Sequence, residues 1–125
     1  MDTLHIEMTD DSPQVILDPA GNLFEISGKS LPEDAADFYQ PILDWLNAYR
    51  AEPLTKTKVN LKLIYFNTAS SKLIMDIMLF FEEMVEEGHN VVIYWHSHKS
   101  DEDMQEAGKE FEEMIAVPFE HLTYT

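Results

Sequence analysis

One stretch of the chain, residues 59–73, constrains the fold most because it joins a strand pattern to a helical pattern. The run Leu61, Leu63–Phe66 is too apolar for a strand with one solvated face, which predicts a central strand buried on both faces. Apolar residues then recur at helical spacing from Leu73 to Val85. The polar pair Asn67-Thr68 lies between the two patterns, so the sequence predicts a strand, a turn and a helix.

The start of this middle helix differs from the starts of the two other predicted helices. Those open with acids, at Glu33-Asp34 and at residues 101–103, which complement the partial positive charge of a helix N-terminus. The middle helix has no acid before Asp76, and its first residues are Ala69, Ser70, Ser71 and Lys72. Free amides, hydroxyls and a lysine at a helix start suit an anion.

Two interpretations of this junction stay open from its local chemistry. The anion is either a bound phosphate or a phosphate attached covalently to Thr68, Ser70 or Ser71. The simpler alternative is a hydroxyl cap of the helix that has no regulatory function.

The composition limits the class of protein and the class of partner. A chain of 125 residues that is 45% hydrophobic is expected to fold as one domain, residues 1–125. Eight basic residues against 24 acidic ones give a net charge of −16. This charge argues against partners such as nucleic acid or an anionic membrane, and it is compatible with a basic protein surface.

The chain has no cysteine, which excludes disulfides, thiolate catalysis and cysteine metal ligands. The N-terminal residues 1–5 lack the pattern of a signal peptide, and no apolar run reaches the length of a membrane span. We therefore expect a soluble cytoplasmic protein.

The remaining patterns predict an α/β fold with a mixed sheet of about six strands and about three helices. Turn chemistry at residues 18–22 predicts an N-terminal hairpin over residues 14–27, and the second half alternates strand and helix, which predicts parallel C-terminal strands. The first helix is expected to be capped near Ser30 and to kink or break at Pro41. The further expected elements are strands at 4–8, 91–95 and 119–124, a loop at 96–100, and a third helix at 101–117.

Several aromatic side chains exceed what a core of this size is expected to hold. Any of them left outside the core would mark a protein interface. They are Tyr39, Trp45, Tyr49, Phe80 and Phe81.

The pair His96 and His98 offers an alternative function. On an extended backbone the two imidazoles share a face and could bind a metal ion, as in a small metal-dependent hydrolase. The zinc isopeptidase motif, which His-Ser-His resembles, requires a Ser and an Asp further on, but Glu106 and Lys109 occupy those positions. A solvated loop is the default interpretation, and we expect no metal site.

The segment from Tyr65 to Lys72 resembles the SiaC family of bacterial regulatory phosphoproteins, and the likeness extends over nearly the full chain. Its most specific part is the Asn-Thr-x-Ser-Ser segment that begins at Asn67. The resemblance implies a fold similar to STAS domains, the fold of anti-sigma-factor antagonists. It also implies phosphorylation at Thr68, the position that matches the family's phosphoacceptor.

The resemblance further implies a non-enzymatic partner switch without a cofactor. A threonine protein kinase and a PP2C-type phosphatase would act on Thr68, and the unphosphorylated form would bind and activate a diguanylate cyclase, which makes cyclic di-GMP. The alternative to a phosphorylation switch is an unphosphorylated scaffold protein. Five residues are expected to form the environment of the phosphorylation site and the docking surface for a partner: Asn67, Ala69, Ser70, Ser71 and Lys72.

Overall fold

The computed structural model describes residues 1–125, which form six strands and three helices. The strands are β1 (Leu4–Ile6), β2 (Gln14–Asp18), β3 (Leu23–Ser30), β4 (Lys56–Phe66), β5 (Asn90–His98) and β6 (Phe119–Tyr124). The helices are α1 (Ala35–Tyr49), α2 (Thr68–Glu86) and α3 (Glu102–Met114). None of the three helices combines the length and the apolar character that a membrane span requires.

The six strands form one mixed sheet in sequence order, from β1 to β6. The pairs β1–β2 and β2–β3 are antiparallel, whereas β3, β4, β5 and β6 are mutually parallel. The predicted α/β class is therefore confirmed, with its N-terminal hairpin and its parallel C-terminal strands. The parallel pairing of β3 with β4 was not predicted, and it places the ends of β3 and β4 side by side.

All three helices pack on the same face of this sheet. One row of register partners on that face consists of Leu17, Phe24, Val59, Ile93 and Phe119. The ring of Phe24 lies 5.0 Å from that of Tyr49 in α1, and the core cluster also contains Ile77 and Phe81 of α2. In α3, the Phe111 ring lies 5.5 Å from that of Trp95, two residues after Ile93 on β5. The other face of the sheet has no helical layer.

The one-sided packing corrects the prediction of a central strand buried on both faces. Leu61 and Leu63 are buried against the helices, but Ile64 and Tyr65 are each 54% exposed. The register explains their direction, since Gly28 pairs with Leu63 and Lys29 pairs with Tyr65, which leaves Ile64 as an extra residue. Such a β-bulge turns the chain locally, and here it directs two large apolar side chains outward.

The start of the first helix also differs from the prediction. Ser30 ends strand β3 and is buried, and the N-cap is Asp34, whose carboxylate accepts from the Asp37 amide at 3.0 Å. Pro41 lies within one continuous helix and neither ends nor divides it.

Three further predictions, which concern β5, α3 and the core, also differ from the structure. Residues 96–98 belong to strand β5 and not to a loop, and helix α3 ends at Met114, three residues before the predicted end. The expectation of too many aromatic side chains for the core is wrong: Tyr39, Tyr49, Phe80 and Phe81 are buried, and Trp45 is partly buried beside them.

Candidate functional site

The junction between β4 and α2 lies at the edge of the sheet where the parallel strands end. Asn67 is the N-cap of α2, and its side-chain Oδ1 accepts from the Ser70 amide at 2.8 Å. The Asn67 backbone amide in turn donates to the Ser30 carbonyl oxygen at 3.2 Å. The helix start is therefore capped by a neutral side chain and tied to the end of the neighbouring strand β3.

A chain of buried hydroxyl groups holds the same helix start from inside. Ser30 Oγ donates to Ser70 Oγ at 2.8 Å and lies 2.6 Å from the Tyr39 hydroxyl of α1. All three side chains are fully buried. Burial raises the pKa of Tyr39, and its hydrogen bond with Ser30 acts in the opposite direction. The hydroxyl chain thus joins α1, β3 and α2 beneath the junction.

The burial of Ser70 corrects its predicted role. A side chain that is fully enclosed and hydrogen-bonded cannot contact a partner, and a kinase cannot reach its hydroxyl. Ser70 is therefore a structural residue of the helix start.

Thr68 is the first residue of α2, and its side chain is exposed. The hydrogen bonds at this junction involve its neighbours Asn67, Ser70 and Ser71. The first turn of α2 contains no acid, whereas α1 and α3 carry acidic N-caps, Asp34 and Asp101. Thr68 is thus an accessible hydroxyl at the one helix start whose cap and first turn are free of carboxylates.

The other predicted residues lie on two sides of Thr68. Ala69 and Lys72 line an open groove between the first turns of α1 and α2, and its α1 wall carries Asp34 and Asp37. Ser71 lies on the opposite side, where it lines a cavity of about 100 Å³ with Phe66 and Met114. Because residues three and four apart share a helix face, Thr68 lies one helical turn from Ser71, which lines one depression, and from Lys72, which lines the other.

The histidine pair does not form a metal centre with other side chains of the chain. His96 Nε2 lies 2.9 Å from Asn60 Oδ1, and His98 Nδ1 lies 2.7 Å from Ser100 Oγ. Desolvation, followed by the charge of Lys62, lowers the pKa of His96, and Glu25 opposes this shift. No three His, Asp or Glu side chains come together in a way that could hold a metal ion. A metal ion bound by His96 and His98 would therefore have no third protein ligand.

Sequence reasoning missed two residues that shape this junction, Ser30 and Tyr39. Ser30 is 40 residues from Ser70 in the sequence, and only the parallel pairing of β3 with β4 brings the two together. A buried serine at a strand end has no local sequence signal that separates it from a helix cap.

The fold and the junction define a class of protein: a one-sided α/β domain that presents an exposed threonine at the start of its central helix. A family model described as SiaC family regulatory phosphoprotein matches residues 6–124. The chain therefore belongs to the SiaC family of regulatory phosphoproteins, as its resemblance indicated.

Similar proteins come from Pseudomonas aeruginosa. An uncharacterised protein of strain UCBPP-PA14 is 31% identical over 119 residues, which cover 95% of this chain and 94% of that protein. The crystal structure of apo-SiaC superposes with a TM-score of 0.91 at 29% identity, covering 98% of this chain and 100% of the other. A chain in the crystal structure of the diguanylate cyclase SiaD in complex with its activator SiaC matches with a TM-score of 0.91 at 30% identity. The match covers 97% of this chain and 99% of the other.

Proposed function

We propose that this chain is a bacterial partner-switching protein of the cytoplasm and that Thr68 is its reversible phosphorylation site. A threonine kinase adds the phosphate and a PP2C-type phosphatase removes it, while the chain itself catalyses no reaction and uses no cofactor. The observation that carries the proposal is the position of Thr68, an exposed hydroxyl at a helix start without carboxylates.

The start of α2 accommodates a phosphate better than the starts of α1 and α3, which carry aspartate caps. The phosphate adds a charge of about −1.5 to −2 at neutral pH. The amides of Thr68 and Ala69 remain available to it, since Asn67 occupies only the amide of Ser70 by its side chain. Lys72 lies four residues later, the spacing at which an anion stabilises a helix by pairing with a following cation. The phosphorylated chain therefore keeps its fold.

The output of the switch is the binding and activation of a diguanylate cyclase by the unphosphorylated form. SiaC of P. aeruginosa forms a complex with the diguanylate cyclase SiaD as its activator, and this chain shares the SiaC fold over nearly its whole length. A phosphate on Thr68 would place a hydrated dianion in the docking surface, and the cost of desolvating it would weaken binding. A loss of about 1.4 kcal/mol in binding free energy lowers the affinity about tenfold. A change of this size does not require the chain to refold.

Binding to purified SiaD tests this proposal directly. The unmodified chain and a chain carrying phosphothreonine at position 68, installed during translation, are titrated against SiaD while its cyclase activity is followed. We expect the unmodified chain to bind and activate, and the phosphorylated chain to bind at least about tenfold more weakly. Thr68→Ala should bind like the unmodified chain, and Thr68→Asp should bind more weakly.

Equal binding by all four forms would place the switch elsewhere and leave Thr68 as an unmodified first residue of α2, as in the scaffold alternative. Thermal unfolding of each form is the control. Similar midpoints attribute any loss of binding to the added charge and not to unfolding.

A further inference from the structure

Four of the nine large apolar side chains that the core leaves exposed belong to one surface that reaches the Thr68 junction. Five residues form what we term the apolar belt: Met8, Ile64, Tyr65, Phe66 and Met114. Four of them, all but the partly buried Phe66, are at least half exposed. Soluble proteins seldom leave such side chains clustered unless a partner covers them.

Three adjoining depressions make the belt continuous. Met8 and Ile64 line the first, on the uncovered face of the sheet. Ile64, Tyr65 and Phe66 line the second, between the end of β4 and the start of α3. Phe66 and Met114 line the third together with Ser71, one helical turn from Thr68. The belt therefore ends at the proposed phosphorylation site.

Two local features of the backbone place residues of the belt at the surface. The bulge in β4 makes Ile64 an extra residue, and Ile64 and Tyr65 are both exposed. Gly28 beside the bulge has φ +108°, and a Cβ there would lie 2.7 Å from Met8 Cε. The glycine thus provides both the left-handed backbone and the space in which Met8 lies.

The charges around the belt indicate the chemistry of its partner. Lys62 lines the first depression, where its charge is paired with Glu25 at 3.1 Å. Asp101 and Asp103 line the second depression, and Glu110 lines the third. None of the chain's four ion pairs involves these carboxylates. A complementary partner would present apolar side chains flanked by Lys or Arg.

We propose that the apolar belt is the surface on which the diguanylate cyclase docks, through an apolar segment with basic flanks. This inference rests on the proposed function, and it explains how one phosphate controls binding. A partner side chain that enters the cavity lined by Phe66, Ser71 and Met114 excludes water one helical turn from Thr68, close to the hydration shell that a phosphate needs.

Single substitutions within the belt test the proposal against SiaD in its unmodified state. Tyr65→Ser and Met114→Ser each remove an exposed apolar side chain without disturbing the core, and each should weaken SiaD binding about tenfold or more. Leu23→Ser is the matched control. Leu23 is also exposed, but it lies at the start of β3, where the parallel strands begin, and the belt lies where they end. Leu23→Ser should change the affinity less than about twofold, and all three variants should keep the wild-type unfolding midpoint.

The basic flanks are tested by Asp103→Asn combined with Glu110→Gln. This variant should bind SiaD several-fold more weakly at low salt, and the difference should shrink at high salt because screening removes it. Unchanged binding at both salt concentrations would overturn the assignment of basic flanks.

The remaining outcomes separate this inference from the proposed function. If the wild type binds SiaD and Thr68→Asp weakens binding while the belt variants bind normally, the docking surface is wrong and the switch stands. If the wild type does not bind SiaD, the cyclase partner and the docking surface both fail. If Leu23→Ser weakens binding as much as Tyr65→Ser, the belt has no specific role.

Discussion

Four consecutive polar or small residues at the start of α2 differ in accessibility, and this difference assigns their roles. Thr68 and Ala69 are exposed, Ser70 is fully buried and Ser71 is partly buried. The hydroxyl of Ser70 belongs to a chain of hydrogen bonds with Ser30 and Tyr39, whereas Thr68 is exposed and its hydroxyl has no hydrogen bond within the protein. The interior hydroxyls therefore fix the backbone that presents the exterior one.

Tyr39→Phe tests the hydroxyl chain. It removes one partner of the buried Ser30, and we expect a loss of about 1–3 kcal/mol in the free energy of unfolding at neutral pH, measured by urea denaturation. Tyr65→Phe is the control, since Tyr65 is exposed and its hydroxyl has no hydrogen bond within the chain. Equal stability of the Tyr39→Phe variant and the wild type would show that the Tyr39 hydroxyl contributes nothing to the free energy of unfolding.

The same variant makes a prediction about alkaline pH. The pKa of Tyr39 is raised by folding, so above about pH 10 the unfolded chain releases a proton that the folded chain retains. The folded state binds more protons there, so the wild type loses stability as the pH rises from the unfolded pKa toward the folded one. Tyr39→Phe should lose less stability over this window, and an equal loss in both proteins would contradict the account.

At the scale of elements, the neutral cap of α2 combines stability with space for a charge. Asn67 satisfies one amide without adding a negative charge, whereas aspartate caps the other two helices. An aspartate cap would interact more favourably with the helix dipole but would repel a phosphate on the next residue.

Two substitutions of Asn67 separate capping from charge. Asn67→Ala removes the acceptor of the Ser70 amide and should cost about 1 kcal/mol of stability. Asn67→Asp keeps an acceptor and should leave the free energy of unfolding at or above that of the wild type. Both values are measured by chemical denaturation of the unphosphorylated protein, and an aspartate variant as unstable as the alanine variant would contradict the capping role.

The order and type of the elements could be predicted because each depends on local patterns. Apolar periodicity placed α2, and turn residues placed the β2–β3 hairpin. The prediction failed where long-range strand pairing determines the local secondary structure. His96-Ser97-His98 reads as a polar loop, but pairing with β6 extends β5 through it, and Ser97 is buried while His96 contacts Asn60. Ser30 likewise resembles a helix cap until β4 pairs beside it.

At the scale of the whole molecule, the sheet is covered on one face only, and this determines which apolar residues are left over. The sequence indicated that Ile64 and Tyr65 are apolar but not that the helices leave them exposed, because helix placement depends on the order of all six strands. The candidate threonine could be predicted from local charge and from the family resemblance. The belt beside it could not, because its members come from three separate parts of the chain.

Phosphosite mapping by mass spectrometry, on protein taken from its native cells, determines whether Thr68 carries a phosphate in the cell. A Thr68→Ala strain is the control. We predict a phosphorylated peptide that contains Thr68, with fragment ions assigning the phosphate to this residue and not to Ser70 or Ser71, and its loss in the control. An absence of phosphate from Thr68 across growth conditions, or a phosphate that persists in the control, would contradict the account.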